Sequence, residues 1–382
     1  MENFRYFMPA DCYFGRGCIE ANKNAMAKLG KKAMVVTGRT SAKKNGAQKD
    51  VTAALDALGI VWVLFDEIGE NPDVETVERA AKIAIDEGVE FFIGIGGGSP
   101  MDLAKALGAK VARPKKPIRK MRGLLKIRKA IPLLIAIPTT AGTGSEVTVA
   151  AGITDSETHH KYAISDFCLI PKYAVMSPEV TVGLNPHLTA TTGMDALTHA
   201  IEAYIGRART KKTKAASEGA VKLIFENLEL AYTGGENLEA RKNMLHASYL
   251  AGCAFTVSYV GYVHAVAHTL GGKYGIAHGL ANAVLLPKIL REYGKNAEKR
   301  LSELSRAVGL VDANTPDDIA AEAIISHIEG MNSRMQIPQK LDCVVESDIA
   351  EMSKLADREA NPLYPVPILW NADELAKIYK LI

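Results

Sequence analysis

Two hydrophobic rhythms divide this chain of 382 residues. Up to residue 183, short apolar runs alternate with amphipathic stretches. KAMVVTG (32–38), IVWVLFDEI (60–68), VEFFIGIGGGS (89–99) and IPLLIAIPTT (131–140) are apolar at nearly every position. Runs of that kind read as strands buried on both faces. Helical periodicity falls between them, around 47–58 and 73–87. Strand and helix in alternation predict a parallel sheet covered on both sides. GITDSETHHKYAIS (152–165) is polar between two strand-like ends and predicts a hairpin. After LNPHLT (184–189) the periodicity becomes helical throughout: 187–204, 211–231, 237–257, 261–270, 279–293, 297–308, 316–328, 346–357 and 372–380. Gly183, Asn185 and Pro186 are breakers at the change of texture. The expectation is an α/β nucleotide-type domain over 1–184 followed by an all-α domain over 185–382.

Composition agrees with two globular cores: 48% of residues are hydrophobic and 23% charged. No apolar run approaches the ~20 residues that a membrane span needs. The first residues show no basic region followed by an apolar one, so no secretory signal is expected. Cys12, Cys18, Cys168, Cys253 and Cys343 are scattered, which argues against a disulfide framework and for a reducing cytoplasm. The net charge of +3 conceals a basic stretch, Lys110 to Lys129, with ten Lys/Arg and no acid. It has no aromatic residue on which bases could stack. A solvated face is the simplest reading, with attraction for a polyanion as a second.

Chemistry enters at two glycine-rich loops. GIGGGSPMDLAKA (94–106) follows a buried strand and opens a helix. Gly96, Gly97 and Gly98 let backbone approach a ligand closely. Ser99 reads as an N-cap, Pro100 as the first helical residue and Asp102 as the partner in a capping box. The N–H groups of such a helix start suit a pyrophosphate. A second loop, PTTAGTGSEVT (138–148), follows the next apolar strand and offers Thr139, Thr140, Gly142 and Thr143. Both lie at the C-terminal ends of neighbouring parallel strands, the edge where open α/β sheets bind ligands.

The helical half carries two i,i+4 pairs, Asp195 with His199 and His264 with His268, and also His278. Each pair presents both side chains on one helix face. Carboxylate and imidazole donors without thiolate suit Fe2+, Zn2+ or Ni2+. Spacing leaves open which of His264, His268 and His278 are ligands. A four-ligand set frees one of the five residues for acid–base work.

Together the stretches GGGSPMDLAKA, IPTTAGTGSEVT, GMDALTHAIEAY, HAVAHTLGGKYGIAHGLANAVLLP and NPLYP resemble the iron-containing alcohol dehydrogenase family, in family order, across most of the chain. The resemblance implies a dehydroquinate-synthase-like fold, with a dinucleotide-binding N-terminal domain and a helical metal domain. It implies iron on Asp195, His199, His264 and His278, with His268 a non-ligand near the nicotinamide. It implies cofactor contacts at Asn71, Gly97, Gly98, Ser99, Asp102, Thr139, Thr140, Gly142, Thr143 and Lys161. A proton shuttle through His268 follows as a hypothesis. The substrate would be a small primary alcohol or aldehyde. The assembly would be a homodimer or larger, joined through the N-terminal segment FRYFMPADCYFG, with neither membrane nor nucleic acid as partner.

The cofactor can be narrowed. An acidic side chain at Gly38 would hydrogen-bond a ribose 2′-hydroxyl and repel a 2′-phosphate. The chain has Gly38 followed by Arg39, with Lys43 and Lys44 nearby, which favours NADP(H) over NAD(H). Ser177 stands where the family often has Asp. The alternatives on the same fold are a zinc polyol (glycerol-type) dehydrogenase and a dehydroquinate-synthase-like enzyme. A nucleic-acid-binding protein acting through 110–129 is the alternative of another class.

Overall fold

The computed structural model describes residues 2–4, 11–69, 72–157 and 160–382. Asn71 of the implied cofactor set and half of the N-terminal segment implied in dimer contact (residues 5–10) lie outside the described residues. The chain divides into two compact units, Met1–Leu184 with Glu236–Leu245, and Asn185–Gly235 with His246–Ile382. The stretch 236–245, placed by sequence in the helical half, thus groups with the first unit.

The first unit holds β1 (Glu2–Phe4), β2 (Asp11–Phe14), β3 (Lys32–Gly38), β4 (Val61–Ile68), β5 (Phe91–Gly96), β6 (Gly123–Leu124), β7 (Leu133–Pro138), β8 (Ala150–Asp155), β9 (His160–Ser165) and β10 (Tyr173–Met176). Its helices are α1 (Cys18–Ala21), α2 (Lys23–Met26), α3 (Ser41–Lys44), α4 (Ala47–Ala57), α5 (Val74–Asp86) and α6 (Gly98–Ala112). The main sheet has the order β1-β2-β10-β7-β5-β3-β4, parallel except for the β1–β2 pair. The four apolar runs form its β7-β5-β3-β4 half. Alternate residues of β3 supply the two faces. Met34 and Val36 pack with Val77 of α5 and Leu107 of α6, while Ala33 and Val35 pack with Val51 and Leu55 of α4. Each fully buried Val or Leu there contributes roughly 1.5–3 kcal/mol. β2 and β10 are too short to register as periodic, and they become strands because β7 and each other offer partners. The expected hairpin is β8 paired antiparallel with β9, and β6 adds a third strand.

The basic stretch is not simply a solvated face. Arg113 donates to the carbonyls of Ile127 (2.9 Å) and Arg128 (3.1 Å), and Lys116 donates to that of Lys126 (2.7 Å). Lys110 pairs with Glu78 at 2.8 Å, and Arg119 with Asp155 and Glu75 at 3.1 and 3.0 Å. These cations tie an irregular loop in which Leu125 and Arg128 take positive φ. Backbone carbonyls outside sheet and helix need such donors.

The second unit is built from α7 (Pro186–Ile205), α8 (Lys211–Thr233), most of α9 (Leu238–Ser258), α10 (Tyr262–Tyr274), α11 (His278–Tyr293), α12 (Lys295–Ala307), α13 (Asp317–Arg334), α14 (Glu346–Ala360) and α15 (Ala372–Tyr379). Asn185 caps α7 by accepting from the N–H of Leu188 at 2.7 Å, and Pro186 takes the first helical position. Nearly all of α7 is buried, which makes it the helix around which the others pack. Among the described residues no single helix is long and apolar enough to cross a membrane.

Candidate metal centre

Helix α7 presents Asp195, His199 and Glu202 at i, i+4 and i+7, on one face. Helix α10 brings His264 and His268, and α11 opens with His278. The packing of α7 with α11 depends on Gly279. A Cβ there would lie 2.4 Å from the Thr191 carbonyl oxygen, so only glycine lets the α11 N-terminus come this close.

Asp195, His199, His264 and His278 each offer one ligand atom, all within 4.8 Å of one another, and the first three residues are buried. From Asp195 Oδ1 it is 3.9 Å to His199 Nδ1, 3.8 Å to His264 Nε2 and 3.5 Å to His278 Nε2. A tetrahedron with bonds of ~2.1 Å has edges of ~3.4 Å, so these spacings suit a small divalent cation. Asn282, one turn beyond His278, places Nδ2 2.7 Å from Asp195 Oδ1, 3.3 Å from His264 Nε2 and 3.2 Å from His278 Nε2. Three acceptor atoms converge there on one amide that has two hydrogens. Lone pairs aimed at a common point are what a cation requires.

Glu202 supports the cluster from behind. It is 3% exposed and accepts from the N–H groups of Gly261 and Val263, both at 2.8 Å, at the start of α10. Its Oε2 is 2.6 Å from His264 Nδ1. That contact puts the hydrogen on Nδ1 and turns the Nε2 lone pair toward Asp195. Burial, with His268 adding to it, holds His264 well below its ordinary value, so the ring stays neutral. Burial pushes the Glu202 carboxyl up to about 7, against the pull of the three N–H groups facing it. Sequence reasoning missed both Glu202 and Asn282. Their signal was present: Glu202 lies three residues after His199, and Asn282 four after His278.

His268 lies outside the cluster. Its ring stacks on His278 at 5.2 Å between centroids, and its Nδ1 is 2.6 Å from Glu359 Oε1 on α14. Phe255 stacks on His199 at 4.1 Å.

In the first unit the two glycine-rich loops touch. The N–H of Thr139 donates to the Gly96 carbonyl at 2.9 Å. A Cβ on Gly97 would sit 3.2 Å from Thr140 Oγ1, and one on Gly98 3.1 Å from the Thr143 methyl. Larger residues at 97 or 98 would push the loops apart. The expected capping box does not form. Helix α6 starts at Gly98 with Gly97 as its N-cap and no side-chain cap, two residues earlier than Ser99 as N-cap suggests. Asp102 turns instead to the second loop, accepting from Ser145 Oγ (2.8 Å) and the Gly152 N–H (2.9 Å). Lys161 crosses the same glycine, with Cε 3.0 Å from where a Gly152 Cβ would be. Gly142 is buried between Thr140 and Thr143, and Ser99 is half-buried in the first turn of α6. Gly38 closes β3, and Arg39 beyond it is exposed. Lys43 pairs with Asp66 at 2.7 Å, which removes one of the cations counted there. Ser177 donates to Glu179.

Comparison with known proteins places these features. Residues 9–178 match the description "Iron-containing alcohol dehydrogenase", and residues 189–382 match "Fe-containing alcohol dehydrogenase family, C-terminal". The chain is 36% identical to 1,3-propanediol dehydrogenase of Klebsiella pneumoniae, over 99% of this chain and 98% of that one. It is 34% identical to the NADPH-dependent butanol dehydrogenase of Clostridium saccharobutylicum, over 99% and 97%. Its fold is similar to the solved alcohol dehydrogenase from Oenococcus oeni, with a TM-score of 0.93 at 32% identity, covering 99% of both chains.

Proposed function

The chain belongs to the iron-containing alcohol dehydrogenase family, and from that premise we propose a metal-dependent transfer of hydride between NADP(H) and a small primary alcohol or aldehyde. The observation that carries this reading is the convergence of Asp195, His199, His264 and His278 within 4.8 Å. These four would hold Fe2+, with Zn2+ or Ni2+ able to take the same donors. When bound, the metal supplies Lewis acidity to the substrate oxygen and the nicotinamide accepts or gives the hydride.

The protein's own residues do the rest. Burial keeps His264 neutral, and Glu202 keeps it aimed. The N–H groups at the start of α6, beside Gly97, Gly98 and Ser99, receive the pyrophosphate. Thr139, Thr140, Gly142 and Thr143 line the neighbouring loop without bulk, Asp102 braces it through Ser145, and Lys161 lies over Gly152 beside Asp102. His268 takes the hydroxyl proton during oxidation and returns it during reduction.

Gly38 and the exposed Arg39 support NADP(H), and the butanol dehydrogenase relative is itself named as NADPH-dependent. Aspartate fits at 38, because the nearest atom to a Cβ there is Ser41 Oγ at 3.7 Å. Gly38→Asp is expected to shift preference toward NAD(H) by about tenfold or more, the scale of one unfavourable charge contact.

The test is anaerobic turnover of short primary alcohols and aldehydes with both nicotinamides, before and after chelation and with Fe2+ returned. Turnover that prefers NADP(H), stops on chelation and recovers with Fe2+ is the expected result. Turnover with NAD(H) alone would overturn the 2′-phosphate reading. Turnover indifferent to chelation would overturn the metal reading. Activity only on polyols would favour the glycerol-type alternative. The same reading expects a cytoplasmic homodimer or larger homo-oligomer, which sedimentation velocity would check for assembly.

A further inference from the structure

We propose that Glu359, steadied by Tyr364, is the positioning residue for His268, setting its ring orientation and tautomer for the reaction. The inference rests on the role given to His268 above. Its observations lie at the end of α14 and in the NPLYP segment that follows.

Glu359 lies in the last turn of α14, 91 positions from His268 in sequence. Its Oε1 faces His268 Nδ1 at 2.6 Å and also accepts from the Tyr364 hydroxyl at 2.8 Å. An oxygen already accepting from a phenol faces Nδ1 as an acceptor again, so Nδ1 carries the hydrogen. Nε2, across the ring, is thereby left with its lone pair. Burial, reinforced by Glu359, holds the Tyr364 hydroxyl well above its ordinary value, so it remains a donor.

The segment that carries Tyr364 is itself pinned. Asn361 Nδ2 donates to Asp357 Oδ1 (2.6 Å) and to the Trp370 carbonyl (2.8 Å), while its Oδ1 accepts from Tyr262 on α10 (2.9 Å). Helix α10, which bears His268, and the end of α14, which bears Glu359, are therefore tied at two points. A ring fixed by a carboxylate on one nitrogen and stacked on His278 on its face has little orientational freedom left. That freezing is what a proton-transfer group gains from its support.

The test compares wild type with Glu359→Ala, Glu359→Gln, Tyr364→Phe, His268→Ala and the Glu359→Ala/His268→Ala double variant. Each is read for kcat, both KM values, bound metal and thermal midpoint. If Glu359 acts through His268, Glu359→Ala lowers kcat by about 10- to 100-fold, the usual scale for such support. His268→Ala then costs at least as much, and the double variant costs no more than His268→Ala alone. KM values and metal content hold, and Glu359→Gln, which can still accept from Nδ1, recovers part of the loss. Tyr364→Phe gives a smaller loss of the same kind. Should Glu359→Ala fail to fold, the Gln and Phe variants carry the comparison. A full additional loss in the double variant would overturn the proposal. So would a lowered thermal midpoint with kcat intact, since Glu359 would then be a helix tie only. If His268→Ala leaves kcat unchanged, the His268 role falls and this proposal with it. Metal-dependent turnover would then still stand and mark the failure as local.

Discussion

The two units prepare for their ligands by opposite means. In the helical unit, side chains from α7, α10 and α11 aim oxygen and nitrogen lone pairs at one point. In the α/β unit, side chains are withdrawn. Gly97 and Gly98 lie against Thr140 and Thr143, and the start of α6 is left without a side-chain cap. The first arrangement suits a cation and the second an anion.

Each is underpinned by a buried group whose charge is opposite in sign to the ligand it serves, without touching that ligand. Behind the metal centre stands the carboxylate of Glu202. Behind the loops stands the fully buried ammonium of Lys105, which donates to Ser145 Oγ (2.9 Å), Thr148 Oγ1 and carbonyl (both 3.0 Å) and the Ala150 carbonyl (2.8 Å). Burial draws Lys105 down to about 8, against the pull of Asp102 and Glu146, so it stays mostly protonated at neutral pH. Burial pushes Glu146 up to about 7. The lesson is that a side-chain site and a backbone site share one need, a satisfied buried ion that fixes what faces the ligand.

Three substitutions probe this contrast. The largest effect is expected from Asp195→Ala, which removes the only anionic ligand of the four. Bound metal should be lost and kcat should fall at least about 100-fold. Metal analysis beside turnover checks it, and retained stoichiometric metal would show that the cluster is not the site. Next is Glu202→Gln, which replaces an acceptor by an amide facing three donors. Metal affinity, measured by chelator competition, should weaken by about 10- to 100-fold. Unchanged affinity would reduce Glu202 to a cap for α10. The smallest effect belongs to Lys105→Met, which leaves the carbonyls of Thr148 and Ala150 and two hydroxyls without their donor. The KM for the nicotinamide cofactor should rise by roughly three- to tenfold while kcat at saturation and metal content hold. The thermal midpoint should drop by roughly 5 °C or more. A lower midpoint with an unchanged KM would make Lys105 a support of the fold and not of the loop.

The legibility of the two sites in the sequence differed for the same reason that their construction does. Asp195 with His199 and His264 with His268 stood out because helical spacing reports a shared face, but spacing could not choose His278 over His268 as a ligand. The packing of α11 against α7 brings His278 into the cluster. Glu202 and Asn282 obey that spacing too, but what each faces, His264 and Asp195, is set by packing between helices. The glycine loops are visible as loops in the sequence, but the spacing of Ser99 and Asp102 does not reveal what Asp102 holds. Ser99 and Asp102 have the spacing of a capping box, yet the helix begins at Gly98, and Asp102 is spent on Ser145 and Gly152. Strands β2 and β10 left no pattern, since four residues cannot display one. The basic stretch looked like a solvated face because charge alone does not reveal which carbonyls a lysine or arginine will reach.

Local pattern was therefore enough for the alternation of strand and helix, the switch to helices near Pro186, the two loops and the paired ligand spacings. Each of these depends on periods of two to four residues that a chain carries along its own length. Contacts between residues far apart in the chain were of another kind. His268 meets Glu359, Lys105 meets the carbonyl of Ala150, and Gly279 meets the backbone of Thr191 only once helices and sheet have packed. No short-range pattern encodes those meetings, because they are set by which faces bury against each other, and that is a property of the whole fold.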